Sequence, residues 1–195
     1  SASNPATMRS FGSGALAAPW TGKGLAGGDG DGYSKAFSRV KVFSGVTAGA
    51  SLQQMLFGCT ALADADMTNL AVGAATTSMY QMFQGCTALR GAYTNQSPTS
   101  DGTSAIGTGA RFSTRFAPTA TGLNASYMFQ GCTAMSEVML QNAFNGEAVQ
   151  LNYAFHGCKA LRTVTLNNVG NGKYASMQRM FAQSFTNVGF KNANT

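Results

Sequence analysis

"MFQGCTAL" occupies residues 82–89 and "MFQGCTAM" residues 128–135. A catalytic motif is needed once, whereas a phrase that recurs nearly unchanged marks a structural unit stacked on copies of itself. Aligning the first residue of each phrase places Met55, Met82, Met128, Ala154 and Met180 in one column, at spacings of 27, 46, 26 and 26. The next column reads Leu56, Phe83, Phe129, Phe155 and Phe181. Three residues on stand Cys59, Cys86, Cys132 and Cys158, with Ser184 in the last copy. Each Cys follows a glycine (Gly58, Gly85, Gly131, Gly157), and Leu62, Leu89, Met135 and Leu161 come three residues after it. The long spacing is one period of 26 plus an insertion of 20 residues.

The second half of the unit is also regular. Copy three continues Met135, Val138, Leu140, Asn142, and copy four Leu161, Val164, Leu166, Asn168. Apolar residues at alternate positions with β-branched neighbours predict a short strand, and the Asn after it suits a turn. Copy one keeps the pattern loosely as Leu62, Ala65, Met67 and Asn69. Copy two has "RGAYTNQSPTSDGTSAIG" after Leu89 and is expected to lose its strand there. A unit of this size cannot bury its apolar face alone, so the copies are expected to stack.

The pattern [MA]-F-x-G-C-x-[AL]-L-x-x-V-x-L-x-N at a period of 26 resembles the leucine-rich repeats of BspA-like bacterial surface proteins. "TTSMYQMF" (76–83) and "YASMQRMF" (174–181) resemble its Met-rich subtype, and the likeness covers about Ser51 to Phe181. It departs from the pattern at Leu56, in the missing strand of copy two, and in copy five, which lacks Gly and Cys. The resemblance implies a curved solenoid of short parallel strands, display at a surface, and adhesion or partner binding. It implies no catalytic residues.

Composition bounds the function. Only 10% of the 195 residues are charged, against roughly 25% in an ordinary globular protein, while 44% are apolar. Low charge with that apolar content argues against disorder. A surface of Thr, Asn, Ser and Gly suits an extracellular, cell-surface or virion-surface setting. The net charge of +6 leans toward the C-terminal end, where Lys159, Arg162, Lys173, Arg179 and Lys191 face no acid. Spread over 37 residues they read as a solvated face rather than a polybasic tract, with attraction to an anionic partner as the alternative. No apolar run reaches the ~20 residues of a membrane span and no signal-like segment is visible.

Each chemical candidate has a structural counterpart. The four cysteines share one repeat position and lack the Cys-x2-Cys spacing of a zinc site, so a column of buried free thiols is expected, with disulfides between neighbours as the alternative. His156, the single histidine, has no second histidine with which to build a triad or metal cluster. "GGDGDG" (27–32) partly resembles a calcium loop, but two carboxylates without a trailing Glu read as a turn. "ARFSTRFAP" (110–118) interleaves Arg111, Phe112, Arg115 and Phe116. These four are the candidate partner-binding residues, by stacking of cations and rings on a sugar or base; alternatively the two rings anchor the insertion to the core.

The expected architecture is a repeat solenoid of four to five coils, with residues 1–50 a Gly-rich arm and capping segment. Residues 51–195 carry the repeats, with an insertion at about 91–115. The structural columns are Phe83, Cys86, Leu89, Phe129, Cys132, Phe155, Cys158, Leu161 and Phe181. The expected role is a non-catalytic, surface-displayed module binding a protein or glycan, without cofactor or metal and with nucleic acid not expected. The alternative is a structural subunit of a virion fibre, capsid decoration or extracellular filament, self-assembling through the N-terminal arm.

Overall fold

The computed structural model describes residues 6–7, 35–43, 46–94, 109–113, 116–117, 120–170, 172, 174–184 and 189–190. The described residues form ten strands: β1 (Ala6–Thr7), β2 (Arg39–Lys41), β3 (Val46–Thr47), β4 (Asp64–Met67), β5 (Leu70–Ala71), β6 (Gly91–Thr94), β7 (Ala110–Phe112), β8 (Glu137–Gln141), β9 (Thr163–Asn167) and β10 (Gly189–Phe190). All their pairings are parallel. Three strands form a small sheet in the order β1-β3-β5, and seven form the main sheet in the order β10-β9-β8-β6-β7-β4-β2.

The register of the main sheet turns the sequence alternation into rows. Val40, Ala65, Ala110, Ala92, Val138 and Val164 pair in one line across the strands. From Ala65 to Val164 this line is buried. The adjacent line, Lys41, Asp66, Arg111, Tyr93, Met139 and Thr165, lies on the opposite face, as the period of two requires. Strands β8 and β9 are followed by Asn142 and Asn168, both with positive φ (49° and 52°). Asn tolerates this conformation because its short amide bonds locally. The two amides also join, Asn168 Nδ2 donating to Asn142 Oδ1 at 2.7 Å.

Opposite the sheet, the M-F-x-G-C segments stack as a second set of rungs. Parallel bridges link Ser51 to Ser78, Ser78 to Asn124, Asn124 to Gln150, and Gln150 to Ser176. Each rung donates to the next: Leu56 N to Met82 O (2.9 Å), Phe83 N to Met128 O (2.8 Å), Phe129 N to Ala154 O (2.8 Å) and Phe155 N to Met180 O (2.8 Å). Inside, Phe83, Phe129, Phe155 and Phe181 form a continuous stack with centroids 5.2, 5.1 and 5.3 Å apart and planes within 8°. The glycine before each Cys has φ between 68° and 76°, the left-handed region where a side chain is strained. Glycine adopts it without strain, whereas in the last copy Gln183 holds the same position with φ of 58°.

The structure corrects two expectations. Copy two keeps its strand: β6 follows Leu89 and pairs with β8. It was hidden because Gly91 and Ala92 replace β-branched residues, and Gly91 is needed because the Tyr93 ring lies where its Cβ would be. The insertion is likewise not wholly a protruding loop. Its far end is β7, which enters the sheet between β4 and β6. Residues 95–108 lie outside the described residues. Of the capping segment expected over residues 1–50, β1 pairs with β3, and β2, within "RVKVF" (39–43), pairs with β4. Trp20 and "GGDGDG" fall outside the described residues.

Candidate functional surfaces

Phe112 and Phe116 do not present their rings to solvent. They are 2% and 0% exposed, lie 4.1 Å apart, and Phe112 packs edge-on against Phe83 and Phe129. Phe116 meets Phe144. Of the two readings of "ARFSTRFAP", anchoring is the one these rings adopt, because β7 faces the core with every second residue. Arg115 lies outside the described residues. Arg111, on the outer face, forks onto Asp64 at 2.7 and 3.2 Å and reaches Asp66 at 3.8 Å. Arg39 also approaches Asp64 at 3.8 Å. With Val40 and Lys41 these residues surround a hollow of about 460 Å³. Burial raises the Asp66 pKa, but two hydrogen bonds from Thr68 and the charges of Arg111 and Lys41 outweigh it and hold the carboxyl below its ordinary value. Nearby, Tyr93 folds back to Glu137, its hydroxyl 3.3 Å from the carboxylate; burial and that charge push the phenol up to about 12.

The cysteines are free and buried. Each thiol after the first donates to a carbonyl of the rung before: Cys86 to Leu56 O (3.1 Å), Cys132 to Phe83 O (3.2 Å) and Cys158 to Phe129 O (3.3 Å). Ser184 does the same to Phe155 O. The column needs a small side chain with one proton to give, and that is why Ser substitutes in the last copy. Burial pushes Cys59 and Cys158 up to about 12 and Cys86 and Cys132 well above their ordinary value, so the column holds thiols rather than reactive thiolates. Leu89 and Leu161 are buried beside it.

His156 faces a different surface from Asp64 and Asp66. It lines a groove of about 420 Å³ with Gln84, Gln130, Thr133 and Lys159, floored by the glycine column from Gly58 to Gly157. Gln84, Gln130 and His156 occupy the variable position of M-F-x-G-C in successive rungs. They form a row: Gln84 Nε2 donates to Gln130 Oε1 at 2.7 Å, and Gln130 Nε2 lies 3.3 Å from His156 Nδ1. Gln84 Oε1 is buried with no donor among the described residues. Beside this row, Tyr127 stacks on Tyr153 at 4.9 Å and 3°, and Tyr153 meets both the His156 ring and Arg179, whose Nη1 donates to its hydroxyl at 3.1 Å. Of these residues His156 stood out in the sequence only as a lone histidine, and none as a partner-binding residue. The signal was present: the variable letter of a repeat motif is the one that faces out.

Among the described residues no group of three or more His, Cys, Asp or Glu is placed to hold a metal ion, and no helix is long and apolar enough to cross a membrane. No family model matches the chain, and neither a curated protein nor a solved structure matches it.

Proposed function

We propose that the chain is a short leucine-rich-repeat solenoid of the BspA-like kind, acting as a non-catalytic binding module displayed at a cell or virion surface. The observation that carries this reading is the register of the rungs. Ser51, Ser78, Asn124, Gln150 and Ser176 bridge in sequence, and the repeat positions before and after them coincide in space. Stacked rungs present outward-facing side chains in rows, an extended surface suited to adhesion. The titratable side chains also favour binding over catalysis. Asp64 and Asp66 are engaged with Arg111, the thiols are held protonated, and His156 lies among amides and a phenol. The test is retention of the purified full chain on surfaces coated with glycans or extracellular matrix proteins. Saturable binding to one coat supports the module. Retention on none, with the chain folded, refutes it.

A second reading, a structural subunit of an assembly, has one observation in its favour. At the β2 edge, Phe37, Val40, Val42, Phe43, Val46, Met55 and Leu56 line an apolar hollow of about 480 Å³, and Phe43 is 71% exposed. Light scattering on the full chain and on a chain starting at Tyr33 separates the two. A 20.2 kDa monomer favours the module, and a discrete oligomer the assembly.

A further inference from the structure

We propose that the groove over the glycine column binds one extended acidic polysaccharide chain, with Gln84, Gln130 and Thr133 contacting sugar hydroxyls and His156 and Lys159 holding a carboxylate. This rests on the reading of the chain as a binding module and assigns its ligand and site. Three observations carry it. The first is spacing. Successive rungs stand about one strand separation apart, seen directly in ring stacks of 4.9 to 5.3 Å. That is close to the rise of one sugar residue in an extended polysaccharide. An extended peptide repeats like side chains every two residues, roughly 6.6–6.8 Å apart, and falls out of step with the rungs.

The second is the chemistry of the walls. The backbone N–H groups of the floor are spent between rungs: Gly58 on Gln84 O, Gly85 on Gln130 O, Gly131 on His156 O and Gly157 on Ala182 O. A peptide strand therefore finds no ladder to join here. Beside Phe57 and Lys159, the groove offers carboxamides, a hydroxyl and an imidazole, groups that pair with hydroxyls.

The third is charge. Among the described residues no carboxylate lines the groove; Lys159 stands in its wall at the His156 end, and Arg179 lies outside it on the adjoining Tyr153 ring. Such a field favours a uronate over a neutral sugar.

The experiment titrates the folded full chain, by calorimetry, with hexasaccharides of hyaluronan, polygalacturonate and alginate, and with neutral chitohexaose. Binding of at least one acidic hexasaccharide, tighter than chitohexaose and weakened by salt, is expected. Thr133 is exposed, so Thr133→Trp fills the groove without touching the core, and should weaken binding by about tenfold or more. Lys159→Ala should weaken it by roughly two- to fivefold, with a smaller salt dependence. Thr121→Trp, exposed and outside the groove, should leave it unchanged. Failure of all three acidic hexasaccharides to bind overturns the proposal, as does a preference for chitohexaose or binding indifferent to Thr133→Trp with the melting temperature intact. Retention of the same protein on a protein-coated surface would then leave the binding-module reading standing and remove only this groove.

Discussion

The insertion of copy two leaves opposite marks on the two sides of the molecule. On the side of the M-F-x-G-C rungs it leaves none. Ser78 bridges Asn124, and Phe83 stacks on Phe129 at 5.2 Å, as closely as Phe129 does on Phe155. On the sheet side the same insertion adds a whole strand, β7, so that β4 and β6 are neighbours of β7 rather than of each other. The two sides make different demands. A parallel sheet asks a newcomer only for free N–H and C=O groups and an alternating face. The rung asks for a left-handed residue before Met and another before Cys, a ring over the previous ring, and a proton for the previous carbonyl. One sequence repeat satisfies all of these together, and an added segment satisfies none. Register is therefore set by the rungs, and the sheet accommodates.

The largest test of that contrast is Phe129→Ala. The ring is 1% exposed with stacked rings on both sides, and its loss should cost about 3–5 kcal/mol. For a chain of this length the melting temperature should fall by roughly 2–4 °C per kcal/mol. Phe181 stacks on Phe155 but is only half-buried, so Phe181→Ala should cost clearly less. Equal losses would mean that the stack does not hold the register.

The interposed strand is pinned from outside by Arg111, which supplies the next effect. Its side chain is 19% exposed and that of Asp64 13%, so the pair is sheltered enough to count and exposed enough for solvent to discount it. Arg111→Met should lower stability by about 1–3 kcal/mol in urea unfolding, and Asp64→Asn in the same chain should recover part of that. Asp66 adds a pH signature. Its folded pKa lies below the ordinary aspartate value, so its contribution is present above that ordinary value and is lost as pH falls through the folded pKa. Acid unfolding monitored by circular dichroism should therefore begin at higher pH in Arg111→Met. Thr68→Val should shift it the same way.

How much of this was legible follows the same division. The rungs were readable because their demands fall on fixed letters: Phe83, Phe129 and Phe155 stack, and Cys86, Cys132 and Cys158 are buried free thiols in one column. Strand β6 was not readable, because Gly91 answers to the Tyr93 ring above it, a contact made within the strand but invisible as periodicity. Nor was β7, since nothing local tells a strand that joins a sheet from a loop that leaves it. The interleaved Arg and Phe of that segment divide by the strand's own alternation, Arg111 outward to Asp64 and Phe112 inward to Phe83. The anchoring alternative read from the sequence fits that period for Phe112.

The thiol column gives a smaller and more discriminating prediction. Cys132→Ala takes from Phe83 O one of its two donors, leaving the Cys86 N–H, and removes a buried sulfur; it should cost about 1 kcal/mol. Cys132→Ser should cost less, since Ser184 already fills that role in the last rung. Thermal melts of the two variants decide this. If Ser is the worse substitute, the column serves apolar packing and its hydrogen bonds are incidental. With the thiols held protonated by burial, alkylation of the native chain should proceed only after unfolding.

The smallest effect isolates backbone conformation from contact. Gly122, Ala148 and Tyr174 occupy one repeat position and share a left-handed backbone, with φ of 67°, 59° and 64°. A Cβ on Gly122 would meet nothing within 4 Å, so space does not require glycine there. What remains is the cost of a left-handed L-residue, about 1–2 kcal/mol, partly offset because a side chain also restricts the unfolded chain by about 0.4–1 kcal/mol. Ala148→Gly should therefore stabilise by a net amount of up to about 1 kcal/mol, and Gly122→Ala should destabilise by a similar amount, both read from urea midpoints at unchanged slope. Opposite signs at two copies of one position would show that the rung geometry imposes the conformation whatever residue stands there. A loss in both variants would mean that the Ala148 methyl makes contacts worth more than its strain, and that packing, not φ, decides which residue this corner of the repeat accepts.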